Sequence, residues 1–146
     1  MYRRARGFSL VEILVVVAII GVLVAIAFPQ FIRSRVTANE TATIEAMRVF
    51  STVLESYRSS QSPPGYPDDL EDLSEALPPY MASALADGES KGYVYTYDRT
   101  DENQFTLVAE PVISGLTGVR SFFVDQTGII RAESAGVADE SSPPIG

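Results

Sequence analysis

Residues 8–28 read FSLVEILVVVAIIGVLVAIAF, twenty-one residues with a single charged side chain, Glu12. As a helix, this stretch would be about 31 Å long, which matches the hydrocarbon core of a bilayer. The sequence therefore predicts one helix that can span a membrane.

The segments on either side of this stretch give it an orientation. Residues 1–7, MYRRARG, contain three arginines and no acidic residue, which favours a cytoplasmic N-terminus. Beyond residue 36 the chain becomes polar and acidic, as expected of a domain that faces water. We therefore expect one membrane span followed by one small exported domain.

The composition excludes several classes of function. The 146 residues include no cysteine and no histidine, so disulfides, thiol nucleophiles and the commonest general base are ruled out. The formal net charge of −8 also disfavours a surface that tracks nucleic-acid phosphates. We expect no catalytic residues, no metal site, no cofactor and no direct nucleic-acid partner.

Glu12 is the unusual residue of the apolar stretch. A lone carboxylate inside a membrane helix costs on the order of 2.5–3.5 kcal/mol, so it needs a partner or a position near the headgroups. Cleavage between Gly7 and Phe8 would make Glu12 the fifth residue behind a new α-amino group. An ordinary signal-peptide cut after Ala25-Ile26-Ala27 is disfavoured, because the apolar run is long for a signal and Pro29 follows closely.

The segment Arg6-Gly7-Phe8-Ser9-Leu10-Val11-Glu12, followed by an apolar run, resembles the signal of type IV prepilins and type II secretion pseudopilins. The resemblance implies cleavage by a prepilin peptidase after Gly7 and N-methylation of Phe8. It also implies that Glu12 supports filament assembly by neutralising the terminal amine of a neighbouring subunit. Methylation keeps the amine basic, so this pairing would survive it.

Gly21 and Pro29 lie where pilin-like helices carry helix breakers. A proline inside a helix lacks an N–H and clashes with the preceding turn, so these positions are candidate kinks. A proline that the membrane helix simply tolerates is an equally good interpretation.

Apolar residues continue at helical spacing beyond the span. They are Ile44, Met47, Phe50, Val53, Leu54 and Tyr57. Charged residues are expected largely on the other faces: Glu40, Glu45, Arg48, Glu55 and Arg58. We therefore predict one helix over residues 8 to about 59, whose second half anchors a globular head.

The remaining residues predict a short helix and a small sheet. Residues 67–77 read as a helix with Leu70, Leu73 and Leu77 on one face. Its acidic residues fit a solvated face better than a calcium site, and Asp87-Gly88-Glu89 fits a turn. Strands are predicted over residues 93–97, 104–109, 119–124 and 129–131, with Tyr93, Tyr95 and Tyr97 packing across strands.

Together these elements predict an α+β, pilin-like fold: a long N-terminal helix, transmembrane then amphipathic, packed on a roughly four-stranded antiparallel sheet. The expected division is a cleaved leader (1–7), a transmembrane or filament-core half-helix (8–35), a head (36–134) and a flexible tail (135–146).

The resemblance implies a structural subunit of a type IV pilus. Expected partners are further copies or other pilins, the prepilin peptidase, an inner-membrane assembly platform and, before assembly, membrane lipid. The precursor would sit in the bacterial inner membrane, and the assembled form in a surface pilus or periplasmic pseudopilus. A type II secretion pseudopilin is the alternative, and a one-span membrane-anchored binding domain or enzyme is a third.

Overall fold

The computed structural model describes residues 8–145, so the leader and Gly7 lie outside the described residues. Its helices are α1 (Leu10–Ser60), α2 (Glu71–Glu75) and α3 (Ser83–Ala86). Its strands are β1 (Glu89–Ser90), β2 (Tyr93–Asp101), β3 (Gln104–Pro111), β4 (Ser121–Asp125) and β5 (Arg131–Glu133). The chain divides after Ser34 into two units, each described by itself below.

The predicted long helix is confirmed as α1, which has 51 residues. In the first unit its large apolar side chains are exposed all around the helix. In the second unit Met47, Phe50 and Leu54 are fully buried, while Val49 between them is half exposed. This three- and four-residue spacing is that of a helix with one face on a core.

The five strands form one antiparallel sheet in the order β1-β2-β3-β4-β5, so every neighbour in the chain is also a neighbour in space. Tyr95 pairs with Ala109, and Leu107 pairs with Val124. The predicted α+β class is therefore confirmed, with five strands rather than about four. The additional strand, β1, has only two residues, which is too short for a period of two to reveal.

The sheet packs its aromatic side chains against the second half of α1. The Phe50 and Tyr95 rings lie 5.3 Å apart between centroids, and Tyr93 lies 5.8 Å from Phe122. Tyr97 stacks on Phe105 at 6.0 Å. The three alternating tyrosines therefore serve core packing: Tyr93 and Tyr97 contact rings of other strands, as predicted, whereas Tyr95 contacts α1.

Helix α2 is shorter than the predicted helix over residues 67–77, which corrects one part of that prediction. Leu70 and Leu73 are buried as expected, but Leu77 is 97% exposed. The helix ends at Glu75, and Ala76 is already extended. Pro78 also disfavours helical backbone at the residue before it, so Leu77 could not continue the helix.

The segment after residue 134, expected to be a flexible tail, lies against β5. The Ala132 N–H donates to the Pro143 carbonyl at 3.0 Å, and the Ile145 N–H donates to the Ile130 carbonyl at 3.0 Å. Ala138 and Ser142 are buried. Small and proline-rich composition suggested looseness, but these backbone bonds need no particular side chain, so composition does not reveal them.

Candidate functional site

The predicted assembly residue, Glu12, lies in the first turn of α1. The Ser9 backbone N–H donates to Glu12 Oε2 at 3.3 Å, and the Ile13 N–H donates to the Ser9 carbonyl at 3.3 Å. Ser9 thus precedes the helix and Glu12 reaches back to it, which is one half of a capping box. This geometry holds the carboxylate beside the start of the helix, at the backbone N–H of the residue that follows Phe8.

The large apolar side chains that follow this turn have no cover in the described structure. From Phe8 to Phe31 their exposed fractions range from 49% to 81%. α1 is the helix among the described residues that is long and apolar enough to cross a membrane, judged by length and composition. Such a surface needs lipid or protein around it, because water solvates apolar area poorly.

Gly21 and Pro29 both lie within α1, which continues through them without interruption. A Cβ at Gly21 would meet nothing within 4 Å. At Gly21 the described structure therefore shows no contact that requires a glycine, and the role of both residues as kinks stays a prediction.

A second polar site lies at the start of the head and was not predicted. Glu40 Oε1 accepts the backbone N–H groups of Val119 at 3.0 Å and Arg120 at 3.1 Å. Its Oε2 receives the Arg120 guanidinium, from Nε at 2.9 Å and from Nη2 at 2.8 Å. Beside it, Asn39 Nδ2 donates to the Thr117 carbonyl at 2.8 Å. We call this set of contacts the Glu40 clamp.

The clamp determines the charge state of Glu40, which is only 8% exposed. Burial raises the pKa of its carboxyl, but the N–H groups of Val119 and Arg120 and the guanidinium together outweigh burial. The net effect is a pKa below the ordinary value, so the carboxylate stays ionised at neutral pH.

Sequence reasoning placed Glu40 on an outer face, and this was wrong. Glu40 precedes Met47 by seven residues, which is two helical turns, so it lies on the same side as the buried stripe. The seven-residue spacing can be read from the sequence, but an acidic residue at that position was assigned to an exposed face. The partner, Arg120, lies 80 residues away and gives no local signal.

The acidic segment around α2 is used for local structure. Asp72 Oδ2 accepts the N–H groups of Asp68 at 3.1 Å and Asp69 at 3.3 Å. Asp68 also pairs with Arg99. Among residues 8–145, no group of three or more acidic side chains is arranged to hold a metal ion.

Comparison with known proteins identifies the N-terminal segment. Residues 2–28 match the family described as the prokaryotic N-terminal methylation motif. The matched range contains Gly7, Phe8 and Glu12, the residues on which the sequence prediction was based. No solved structure matches the chain significantly.

Three curated relatives extend the match beyond the motif. The type IV major pilin protein PilA of Myxococcus xanthus strain DK1622 is 38% identical over 58 residues, 40% of this chain and 26% of the relative. A fimbrial protein of Pseudomonas aeruginosa is 32% identical over 103 residues, 66% of this chain and 62% of the relative. Type II secretion system core protein G of Escherichia coli strain K12 is 32% identical over 91 residues, 60% of this chain and 63% of the relative.

These matches span less than two thirds of each relative's own length. The chain is thus a relative of type IV pilins and type II secretion pseudopilins, and it carries the prokaryotic N-terminal methylation motif.

Proposed function

We propose that this chain is a structural subunit of a type IV pilus. It is made as a membrane-anchored precursor, cut after Gly7, N-methylated on Phe8 and polymerised through the first half of α1. The observation that carries the proposal is the exposed apolar helix with its single carboxylate, Glu12, held in the first turn.

The apolar helix requires two successive environments in this proposal. A lipid bilayer covers it in the precursor, and the helices of neighbouring copies cover it in the filament. In a filament that has left the bilayer, dissociation of a subunit would expose this surface to water, at a cost of roughly 25 cal/mol for each square ångström of apolar area. Repeating one heterologous contact along an axis gives a filament rather than a closed ring.

Glu12 then has a specific role in assembly. Cleavage creates a cationic amine on Phe8, and an amine and a carboxylate in an apolar bundle satisfy each other. In the precursor, the Ser9 N–H already orients the carboxylate toward the N-terminal end of the helix. The same orientation presents it to the terminal amine of an adjoining copy.

The rest of the chain fits a filament coat. Removal of residues 1–7 leaves eight basic and nineteen acidic residues, since three of the eleven basic residues lie in the leader, and the formal charge becomes −11. In this proposal residues 8–35 form the filament core and the remainder forms the head. The prepilin peptidase and an inner-membrane assembly platform are the processing partners, and the precursor's N-terminus is cytoplasmic. We propose no catalytic activity, because the named relatives are structural subunits.

Intact-mass spectrometry on filaments sheared from cells that express this chain tests the proposal. We expect a species that lacks residues 1–7 and carries one methyl group. A full-length, unmethylated chain in the presence of the processing peptidase would contradict it, and would favour a membrane-anchored binding domain.

A matched pair of variants separates processing from assembly. Glu12→Gln removes the charge but keeps the shape, so we expect a normally cut and methylated chain that forms few filaments. Glu45→Gln changes an exposed carboxylate of the same helix and should assemble as the unmodified chain does. Equal filament yields from the two variants would show that assembly does not need the charge of Glu12.

A type II secretion pseudopilin is the second candidate. The match to core protein G covers a similar share of the chain to the match to the fimbrial protein, so relatedness does not separate the two. Location does. A processed chain that stays in the membrane fraction, with none in the sheared fraction, favours the pseudopilin.

A further inference from the structure

The head carries a second exposed apolar surface, on the loop between β3 and β4. Within residues 112–119 four large apolar side chains are 41–52% exposed. They are Val112, Ile113, Leu116 and Val119, and we call them the loop patch. The other residues of this range are Ser114, Gly115, Thr117 and Gly118, so it contains no charge.

The loop that carries the patch is closed on itself. The Gly115 N–H donates to the Gly118 carbonyl at 2.7 Å, and the Thr117 N–H donates to the Ile113 carbonyl at 2.9 Å. These bonds fix the backbone without burying the apolar side chains. The backbone hydrogen bonds therefore hold Leu116 in one position although its side chain is exposed to solvent.

The Glu40 clamp fastens this loop to α1 at Thr117, Val119 and Arg120. The contact with the sheet is equally close: a Cβ on Gly118 would lie 1.9 Å from the Tyr93 hydroxyl oxygen. That hydroxyl donates to the Arg120 carbonyl at 2.8 Å. The patch is therefore preorganised, and binding to it costs little ordering entropy.

We propose that the loop patch of one copy docks on the apolar first half of α1 of a second copy. The inference rests on the proposed function. A heterologous contact needs two different surfaces of one chain that complement each other. The chain has two such surfaces: the uncharged loop patch and residues 13–32 of α1, which also carry no charge.

Charge favours a second copy over the lipid surface as the occupant. Residues 35–146 contain seven basic and eighteen acidic residues, a formal charge of −11. Basic side chains attract a bilayer with anionic headgroups, whereas an acidic domain is repelled by it. The loop's own cation, Arg120, is already paired with Glu40. The surface contacted on another copy, residues 13–32, carries no charge of its own, whereas a patch docked on an anionic bilayer would meet charged headgroups.

Aspartate substitution on the patch tests this docking. Leu116→Asp and Ile113→Asp place a charge where an uncharged helix would pack, so each should reduce sheared filaments about tenfold or more. Leu77→Asp is the matched control, because Leu77 is an exposed leucine outside the patch, and it should leave filament yield unchanged. Thermal unfolding of each full chain in detergent should show an intact head.

The outcomes separate the alternatives. Normal filament yield from both patch variants overturns the inference while leaving the proposed function intact. Patch variants that lose filaments, while Leu116→Cys forms no cross-link to α1 of another copy, also overturn it, in favour of a patch that contacts lipid before assembly. If the unmodified chain forms no filaments, the proposed function fails and this inference fails with it.

Cysteine cross-linking locates the contact directly, because the sequence contains no native cysteine. Leu116→Cys is combined with a single cysteine at each position from 13 to 31 in turn, and filaments are oxidised. We expect disulfide-linked dimers that recur with helical spacing along the scan. Leu77→Cys combined with the same scan should give none. Filaments that yield no dimers with Leu116→Cys, or equal dimers with Leu77→Cys, contradict the docking.

Discussion

Glu40 shows how one residue can link parts of the chain that lie far apart in sequence. Its two oxygens together receive two backbone N–H groups and the Arg120 guanidinium, all from the end of the β3–β4 loop. Charge-assisted hydrogen bonds of this kind are stronger than neutral ones. If one partner is removed, the other is left buried without a hydrogen bond, and the folded state loses stability.

Replacing Glu40 by Gln should therefore destabilise the head. The amide keeps an acceptor for the backbone N–H groups but loses the charge that binds Arg120, so we expect a loss of about 1.5–3 kcal/mol. Urea unfolding of the full chain in detergent measures it. Glu45→Gln removes an ion pair of 2.7 Å that is largely exposed, and should change stability by less than about 0.5 kcal/mol. Similar losses of unfolding free energy in the two variants would show that Glu40 stabilises the head no more than an exposed carboxylate does.

The same carboxylate predicts a dependence of stability on pH. The folded state holds the pKa of Glu40 below its ordinary value of 4.5. Its contribution is therefore present in full above that ordinary pKa and is lost as pH falls through the folded pKa. Unfolding curves measured between neutral and acidic pH should converge for the unmodified chain and Glu40→Gln. Curves that stay parallel would exclude Glu40 as a source of the acid sensitivity.

The resemblance predicted from sequence is confirmed where the motif is local in the chain, while the roles of its residues stay predictions. Phe8 and Glu12 belong to one short motif, and the family match covers them together with Gly7, which lies outside the described structure. The Glu40–Arg120 pair depends on tertiary contact across 80 residues, which no spacing reveals. The loop patch was missed for a related reason: a periodic pattern predicts burial, whereas these apolar residues lie in an irregular loop.

Among the elements, α1 changes character along its length. Its first half exposes apolar side chains in all directions, and its second half buries one stripe against the sheet. Most helical stability in proteins comes from packing of such a stripe rather than from helix propensity. The head therefore depends on α1 as much as assembly does.

Phe50 is the clearest test of that dependence. It is fully buried and its ring lies 5.3 Å from that of Tyr95, so Phe50→Ala should cost about 3–5 kcal/mol through lost burial and the cavity left behind. The neighbouring Val49 is 47% exposed, and Val49→Ala should cost less than about 0.5 kcal/mol. Thermal unfolding of both variants provides the comparison, and equal costs would place the core elsewhere.

Elements with long periodic patterns were predicted, whereas β1 and α3 were not. The helix stripe and the alternation of Tyr93, Tyr95 and Tyr97 repeat often enough to identify α1 and β2. The two residues of β1 and the four of α3 span about one period of a strand or helix, so no repeat of the pattern can be seen. The C-terminal segment is held by backbone bonds to β5, which composition does not encode.

On the scale of the whole molecule, the head is stabilised without any disulfide, since the chain has no cysteine. Its core is rich in tyrosine instead, and several of these phenols are bonded internally. The Tyr66 hydroxyl donates to Glu55 at 2.8 Å, and the Tyr97 hydroxyl donates to the Pro67 carbonyl at 2.8 Å. These phenols must stay neutral for the head to stay folded, because a buried phenolate would be poorly solvated.

The tyrosine-rich core predicts sensitivity to alkali. Burial, reinforced by the hydrogen bond to Glu55, raises the pKa of Tyr66 to about 12, and burial also raises the pKa of Tyr93 and Tyr97. Stability from these groups is complete below the ordinary pKa of 10.0 and is lost as pH rises through the folded pKa.

Phenolate absorbance followed together with circular dichroism tests this expectation. The buried tyrosines should ionise together with unfolding rather than before it. Tyr66→Phe removes one of these groups and should make the loss of stability with pH less steep. Independent ionisation of these phenols in a folded head would contradict the interpretation.

The cover on β5 has a mechanical consequence. The outer edge of that strand is occupied by the chain's own C-terminal segment, where Pro143 and Pro144 have no N–H to offer a further strand. The opposite edge strand, β1, has only two residues. A neighbouring head therefore cannot extend the sheet by adding a strand at β5. In the proposed filament, a pulling force would be borne by the helices and by side-chain contacts, so the polymer would stretch by sliding of subunits while each head stays folded.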